Sequence, residues 1–107
     1  MPTIRQGSKP VTFINVFTVA PEKMDEFLAH QERDLHTFVK YLPGLVSSSW
    51  HRSLDNTRVT NYAQWESVEA FKAAIQDPKF QKHNAEAEAL TISHESHFYE
   101  VVTTSDD

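Results

Sequence analysis

Apolar and polar positions divide the chain into segments with strand and helix periods. The segment "VTFINVFTV" (11–19) is rich in β-branched and aromatic residues, which predicts a first strand. From Pro21 to Leu42, apolar residues recur at helical spacing, which predicts an amphipathic helix. Pro21 suits a first helical turn, and the "PG" at 43–44 ends the helix.

The second half of the chain begins with a hairpin pattern. "LVSSSWHRSL" (45–54) and "TRVTNYAQW" (57–65) are predicted strands joined by a "DN" turn at 55–56. Ser67 is predicted to cap a helix. A "DP" pair at 77–78 ends that helix, and a further helix follows it. A last strand is predicted over residues 91–103.

The element order β-α-β-β-α-β, with the second helix in two parts, predicts an α+β fold. It is the order of the ferredoxin-like split βαβ arrangement, an antiparallel sheet with its helices on one face. Several residues on the other face are apolar or aromatic, so that face needs a partner. A second copy of the sheet is the economical answer, which predicts a homodimer.

Length and the terminal segments predict one domain. The chain has 107 residues, and we expect residues 1–10 to form a flexible N-terminal arm, 11–103 the folded domain and 104–107 a frayed tail. The N-terminus lacks the apolar segment of a signal peptide, and no apolar run is long enough to span a bilayer. These features predict a soluble cytoplasmic protein.

Composition excludes several classes of chemistry. The net charge of −5 disfavours nucleic acid and anionic membranes as partners. The absence of cysteine excludes disulfides, thiolate catalysis and iron–sulfur clusters. Two glycines cannot form a glycine-rich phosphate loop, and the serines at 47–49 lack a nucleophile-elbow pattern.

Two asparagines stand out on strand faces that are otherwise apolar. A symmetric turn would place Trp50 opposite Asn61 and Val46 opposite Trp65. One hairpin face would then carry Val46, Ser48, Trp50, Asn61, Ala63 and Trp65. On the first strand, one face would carry Val11, Phe13, Asn15, Phe17 and Val19.

These amides have two interpretations. Each could bond local backbone or a buried water, and Gln31, which interrupts the apolar stripe of the first helix, could do the same. Alternatively, Asn15 and Asn61 converge with Trp50 and Trp65 on one ligand pocket, since an unpartnered buried amide is costly. The convergence of two amides with two indoles favours the pocket.

The histidine spacing does not predict a metal site. His94 and His97 are three apart on a strand and face opposite sides, and His30 and His36 diverge around a helix. No His-Glu-x-x-His motif appears, and no carboxylate–histidine cluster has ligand spacing. His83, on the last helix, is more typical of a surface or helix-end histidine than of a ligand. We therefore expect no metal.

The segment "LPGLVSSSWHRSLDNTRVTNYAQWESVEAF" (42–71) resembles the antibiotic biosynthesis monooxygenase (ABM) family. It is most similar to the small bacterial monooxygenases that oxidise polyketide anthrones to quinones. The resemblance implies a dimeric α+β barrel in which each protomer has a pocket between sheet and helices. It also implies a reaction with O₂ that needs no flavin, haem or metal, so we expect no cofactor.

The resemblance also implies site residues. The "NYAQW" motif and the first strand supply Asn61, Trp65 and Asn15 as the residues that act on the substrate. Phe17, Trp50 and Phe71 are suitable walls for a flat aromatic substrate. Phe71 stands where related enzymes carry a tyrosine, so any role of that phenol is absent.

The expected reaction begins with an ionised anthrone that passes one electron to O₂. Radical recombination then gives a peroxide that loses water to a quinone. Amide and indole N–H groups would stabilise the oxyanion. No general base is evident on the predicted pocket face, and His83 is a weak candidate.

Two alternatives remain open from the sequence. A haem-degrading enzyme of the same superfamily would need an axial histidine near His83. A non-catalytic dimeric barrel that binds a hydrophobic small molecule would need none of the predicted chemistry.

Overall fold

The fold is a four-stranded antiparallel sheet with its helices on one face. The computed structural model describes residues 10–105, so nearly all of the predicted arm and the last two residues of the predicted tail lie outside the described residues. The strands are β1 (Val11–Thr18), β2 (Leu45–Arg52), β3 (Arg58–Trp65) and β4 (Ser93–Tyr99). The helices are α1 (Met24–Thr37), α2 (Val68–Ala74) and α3 (Pro78–Ala89).

The strand order in the sheet is β2-β3-β1-β4, and every neighbouring pair is antiparallel. Together with the chain order of the elements, this confirms the predicted α+β, ferredoxin-like class. Among the described residues, no helix is both long enough and apolar enough to cross a membrane.

Two predicted elements are shorter than their sequence patterns by four residues or more, whereas the other strands differ by one or two. The helical pattern from Pro21 to Leu42 forms one turn of 3-10 helix, then α1, then a second 3-10 turn, because Phe38 leaves the helical region with φ −150°. The last strand ends at Tyr99 rather than at residue 103. Tyr99 pairs with Thr12, the second residue of β1, so only one residue of that strand remains beyond this pair.

The hairpin register is confirmed at its centre and wrong at its far end. Trp50 lies opposite Asn61, as predicted. Near the end of β3, a β-bulge places Leu45 opposite Trp65 and Ser47 opposite Gln64. The extra residue, Val46, therefore leaves the predicted face and is 51% exposed.

Local side-chain bonds explain where the two later helices begin. Ser67 caps α2, as predicted, by accepting a hydrogen bond from the Ala70 N–H at 3.0 Å. Asp77 caps α3 by accepting from the Lys79 N–H at 2.8 Å, and Pro78 occupies the first turn. The predicted break at "DP" is thus the boundary between α2 and α3.

The turn into β2 needs a glycine. Gly44 has φ +88°, a conformation that side chains rarely adopt. A Cβ atom at this position would also lie 2.5 Å from the Ala70 Cβ atom. The "PG" pair therefore allows β2 to start directly beside α2.

The core consists of two apolar clusters between the sheet and the helices. The first cluster contains Phe17, Val19, Met24, Phe27, Val59 and Ala87. The second contains Leu42, Ala63, Trp65, Ala74 and Phe80. Residues from both clusters border a common cavity, so the core is divided rather than continuous.

Candidate active site

A cavity of about 240 Å³ lies between the helices and the sheet. Its apolar lining is mainly aromatic. It comprises Phe13, Phe17, Trp50, Trp65, Phe71 and Phe80 together with Val39, Leu45, Ala63 and Ala87. Its polar lining comprises Asn15, Gln31, Ser48, Asn61, His83, Asn84, Glu88 and His94. A mostly apolar cavity with a few converging polar groups is the usual form of a small-molecule site.

All six residues predicted for the site border this cavity. They are Asn15, Phe17, Trp50, Asn61, Trp65 and Phe71. Asn15 lies directly opposite Asn61 across β1 and β3, and Trp50 lies opposite Asn61 across β2 and β3. The two amides and one indole therefore form a row across three adjacent strands, although their roles in a reaction stay predictions.

The Asn61 amide is oriented by a serine. Its Oδ1 atom accepts a hydrogen bond from the Ser48 hydroxyl at 2.9 Å. Within residues 10–105, its NH₂ group has no hydrogen-bond partner. An amide held by its oxygen presents its two N–H donors to whatever occupies the cavity.

Two other amides present oxygens without partners. The Asn15 Oδ1 and Gln31 Oε1 atoms are buried and, in the described part of the chain, accept no hydrogen bond. An unsatisfied buried polar atom costs about 1–3 kcal/mol. The interpretation that these amides bond local backbone therefore fails for both oxygens, which favours a site that is completed by a ligand or water.

The aromatic residues give the cavity flat walls. The Phe17 and Trp50 rings are stacked with centroids 5.8 Å apart. Phe71 packs against Phe13 at 4.8 Å and meets Trp65 edge-on at 5.4 Å. Walls of this kind suit a planar polycyclic ligand, because stacking and apolar burial both favour it.

His83 enters the cavity from α3 and is bonded to a carboxylate on α1. Its Nδ1 atom lies 2.7 Å from the Asp34 Oδ2 atom, and both residues are buried. Burial lowers the pKa of His83, although the hydrogen bond and charge of Asp34 act in the opposite direction. Burial raises the pKa of Asp34, but hydrogen bonds from His83 and Arg33 outweigh it, so the pKa lies below its ordinary value.

The network continues through a second histidine. The His30 Nε2 atom lies 3.0 Å from the Glu86 Oε1 atom, and the Gln31 amide nitrogen lies 3.0 Å from His30 Nδ1. The His30 and His83 rings are nearly parallel, with centroids 5.0 Å apart. The expectation that no carboxylate–histidine cluster has ligand spacing is therefore wrong.

The ligand atoms of His30, Asp34 and His83 all lie within 4.8 Å of one another, close enough to suggest a metal site. The hydrogen bonds argue against a metal site. A tetrahedral metal with ligands at ~2.1 Å would hold its donor atoms roughly 3.4 Å apart. The 2.7 Å distance from His83 to Asp34 is a direct hydrogen bond, and the nitrogen that faces the carboxylate carries a proton.

One spacing in the sequence could have revealed this cluster. His30 and Asp34 are four residues apart on α1 and therefore share a helix face with neighbouring Gln31. His83 joins them from 49 residues beyond Asp34, which no local pattern predicts. The expectation that His83 is a surface or helix-end histidine is wrong, because it lies within α3 and is buried. The expectation that His94 and His97 face opposite sides is confirmed, because His94 borders the cavity while His97 pairs with Ile14 on the opposite face.

Known proteins resemble this chain over most of its length. The antibiotic biosynthesis monooxygenase family matches residues 10–86. Tetracenomycin-F1 monooxygenase from Streptomyces glaucescens is 41% identical over 83 residues, which are 78% of this chain and 74% of that protein.

Solved structures share the fold. SnoaB, a cofactor-independent oxygenase from Streptomyces nogalater, is 26% identical with a TM-score of 0.74, over 92% of this chain and 99% of that one. ActVA-Orf6 of Streptomyces coelicolor, a monooxygenase crystallised with nanaomycin D, is 22% identical with a TM-score of 0.81, over 92% and 93% of the two chains. The chain belongs to the antibiotic biosynthesis monooxygenase family, and it is an enzyme of the oxygenase class.

Proposed function

We propose that the protein is a cofactor-independent monooxygenase that oxidises an anthrone- or quinol-like polyketide to a quinone with O₂. One observation carries the proposal. The amides of Asn15 and Asn61 are paired across adjacent strands in the lining of a largely aromatic cavity, and have unused hydrogen-bonding groups. The names of two relatives above 25% identity, a tetracenomycin-F1 monooxygenase and a cofactor-independent oxygenase, support an oxygenase.

The reaction needs no bound redox group if the substrate is the reductant. An anthrone that loses a proton becomes an electron-rich anion, which passes one electron to O₂. The radical and superoxide combine at the ring carbon to form a peroxide. Loss of water from that peroxide leaves a carbonyl, so a CH₂ group and O₂ become C=O and H₂O.

The cavity would favour the anion over the neutral substrate. Asn61 and Trp50 are paired across β3 and β2 and both line the cavity, so an aromatic substrate there could place an oxygen near the Asn61 N–H donors. A preorganised donor of this kind typically contributes about 2.7–4 kcal/mol to the barrier. Trp65, which is buried beside Phe71, would fix the ring and supply a further N–H group.

The haem-degrading alternative finds a histidine at the cavity, His83, but the size of the cavity disfavours it. Its volume of about 240 Å³ lies below the ~300–1,000 Å³ that is typical of drug-sized ligands. A tricyclic or tetracyclic substrate suits this space better than a macrocycle. The test is O₂ uptake coupled to quinone formation, together with the absence of a Soret band after mixing with haemin.

Ser48→Ala should lower kcat about fivefold, because the ~1 kcal/mol hydrogen bond that orients the Asn61 amide is lost. Ser49→Ala is the matched control, since Ser49 bonds His51 and the Tyr62 carbonyl on the other face of β2. Steady-state kinetics with an anthrone would measure kcat for both variants. Equal rates for the two variants would contradict the orienting role of Ser48.

We also propose that the protein is a homodimer built on the helix-free face of the sheet. That face carries Ile14, Val16 and Tyr62, which are half-buried beside the buried Thr12 and Gln64, and every residue of the edge strand β4 is exposed. An edge strand and apolar face of this kind are rarely left uncovered.

Light scattering should therefore give twice the chain mass at micromolar concentration. Val16→Glu, which puts a charge in the middle of this face, should shift the protein toward monomer. A wild-type protein that stays monomeric at all concentrations would contradict the proposed dimer.

A further inference from the structure

We infer that His83 is the base that removes the substrate proton and that Asp34 holds it in the active tautomer. The inference rests on the proposed function and names a group that the reaction needs. The predicted pocket face of the sheet offers no carboxylate, and the base comes instead from the helical wall of the cavity.

The hydrogen-bond pattern fixes which nitrogen is free. Asp34 is ionised and can only accept, so the 2.7 Å bond requires a proton on His83 Nδ1. Neutral imidazole then carries its lone pair on Nε2. That atom has no hydrogen-bond partner between residues 10 and 105, and the ring borders the cavity.

The ring is also held in position. Phe80 lies parallel to it at 5.9 Å, and Phe38 meets it edge-on at 5.9 Å. Asp34 is itself held by Arg33, whose Nε atom donates to Asp34 Oδ1 at 3.0 Å. A base oriented by a second group that is itself oriented is the arrangement found in catalytic dyads and triads.

The protonation states suit a base at neutral pH. The lowered pKa of His83 keeps its ring neutral, and the lowered pKa of Asp34 keeps its carboxylate charged. The other titratable groups around the ring are His30 and Glu86 in the network and Glu88 and His94 on the cavity wall. Once His83 takes a proton, the Asp34 carboxylate balances the imidazolium charge.

The proton transfer is balanced within the proposed reaction. His83 Nε2 takes a proton from the anthrone, which leaves a substrate anion and an imidazolium. After O₂ adds, the imidazolium returns this proton to the peroxide anion. Loss of the second ring C–H proton and cleavage of the O–O bond then form the carbonyl and release water.

His83→Ala should lower kcat by about 10²–10⁴-fold at pH 7, the usual contribution of a general base. Added imidazole should restore part of that activity in a dose-dependent way, because it fits the space that the side chain leaves. His83→Gln, which fills that space, should lose activity without rescue. His36→Gln, an exposed histidine on α1, should behave as wild type.

Asp34 is a positioning residue, and a pH profile distinguishes that role from a structural one. Wild-type kcat/KM should fall as pH drops through the pKa of His83, at a midpoint below the ordinary value of ~6.5. Asp34→Asn should lower the rate and move the midpoint to still lower pH, because the carboxylate that raises the His83 pKa is lost.

The outcomes separate this inference from the proposed function. Wild-type turnover with unchanged kinetics in His83→Ala and His83→Gln would overturn the base and leave the oxygenase standing. A loss of activity in His83→Ala that imidazole does not restore at any pH would have the same consequence. No wild-type turnover of any anthrone would overturn both, and a requirement for added metal would overturn the hydrogen-bonded dyad.

Discussion

Asn61→Ala should lower kcat for an anthrone substrate by about 10²–10³-fold, because one preorganised oxyanion donor is removed. The effect should fall on kcat more than on KM, since the donor acts mainly on charge that develops after the proton leaves. Folding should be retained, because Asn61 is only half-buried and its one side-chain bond is to Ser48.

Two companion variants sharpen this test. Asn61→Asp keeps the size of the side chain but places an acceptor-only carboxylate beside a substrate anion, so it should be at least as inactive as Asn61→Ala. Arg58→Ala, at the exposed start of the same strand, should have wild-type kinetics. Wild-type rates for Asn61→Asp would contradict the donor role of the amide.

Phe27→Ala should destabilise the protein by about 3–5 kcal/mol, the usual cost of deleting a large core aromatic. Phe27 is fully buried and packs against both Phe17 at 5.1 Å and Trp50 at 6.3 Å. The loss would be a large fraction of the ~5–15 kcal/mol that stabilises a typical domain. Urea denaturation followed by circular dichroism would measure it.

Leu54→Ala is the matched control for this effect. Leu54 lies at the hairpin turn and is fully exposed, so its truncation should change the free energy of unfolding by less than about 0.5 kcal/mol. A Phe27→Ala loss no larger than that of Leu54→Ala would contradict the packing between α1 and the sheet.

The fold follows from the sequence because its elements have strong local periods. The β-branched run at 11–19 and the caps at Ser67 and Asp77 each specify one element, and the sheet order follows from the hairpin and the crossovers. The prediction that Val46 lies on the cavity face was wrong, because a β-bulge changes the register without a clear sequence signal.

Only part of the site could be predicted from the sequence. Asn15, Asn61 and Trp65 stand on strands, where a period of two assigns each side chain to a face. His83 and Asp34 stand on two helices that are far apart in the chain, and their meeting depends on how α1 packs against α3. Such packing is a tertiary property that single-segment periodicity does not contain.

The central claim is best tested by O₂ consumption of metal-stripped protein with emodin anthrone or dithranol. We expect one O₂ consumed per quinone formed, at a rate well above spontaneous oxidation, with no effect of chelator and with loss of the activity in Asn61→Ala. No acceleration with any anthrone, or acceleration that is unchanged in Asn61→Ala, would contradict a cofactor-independent oxygenase built on this cavity.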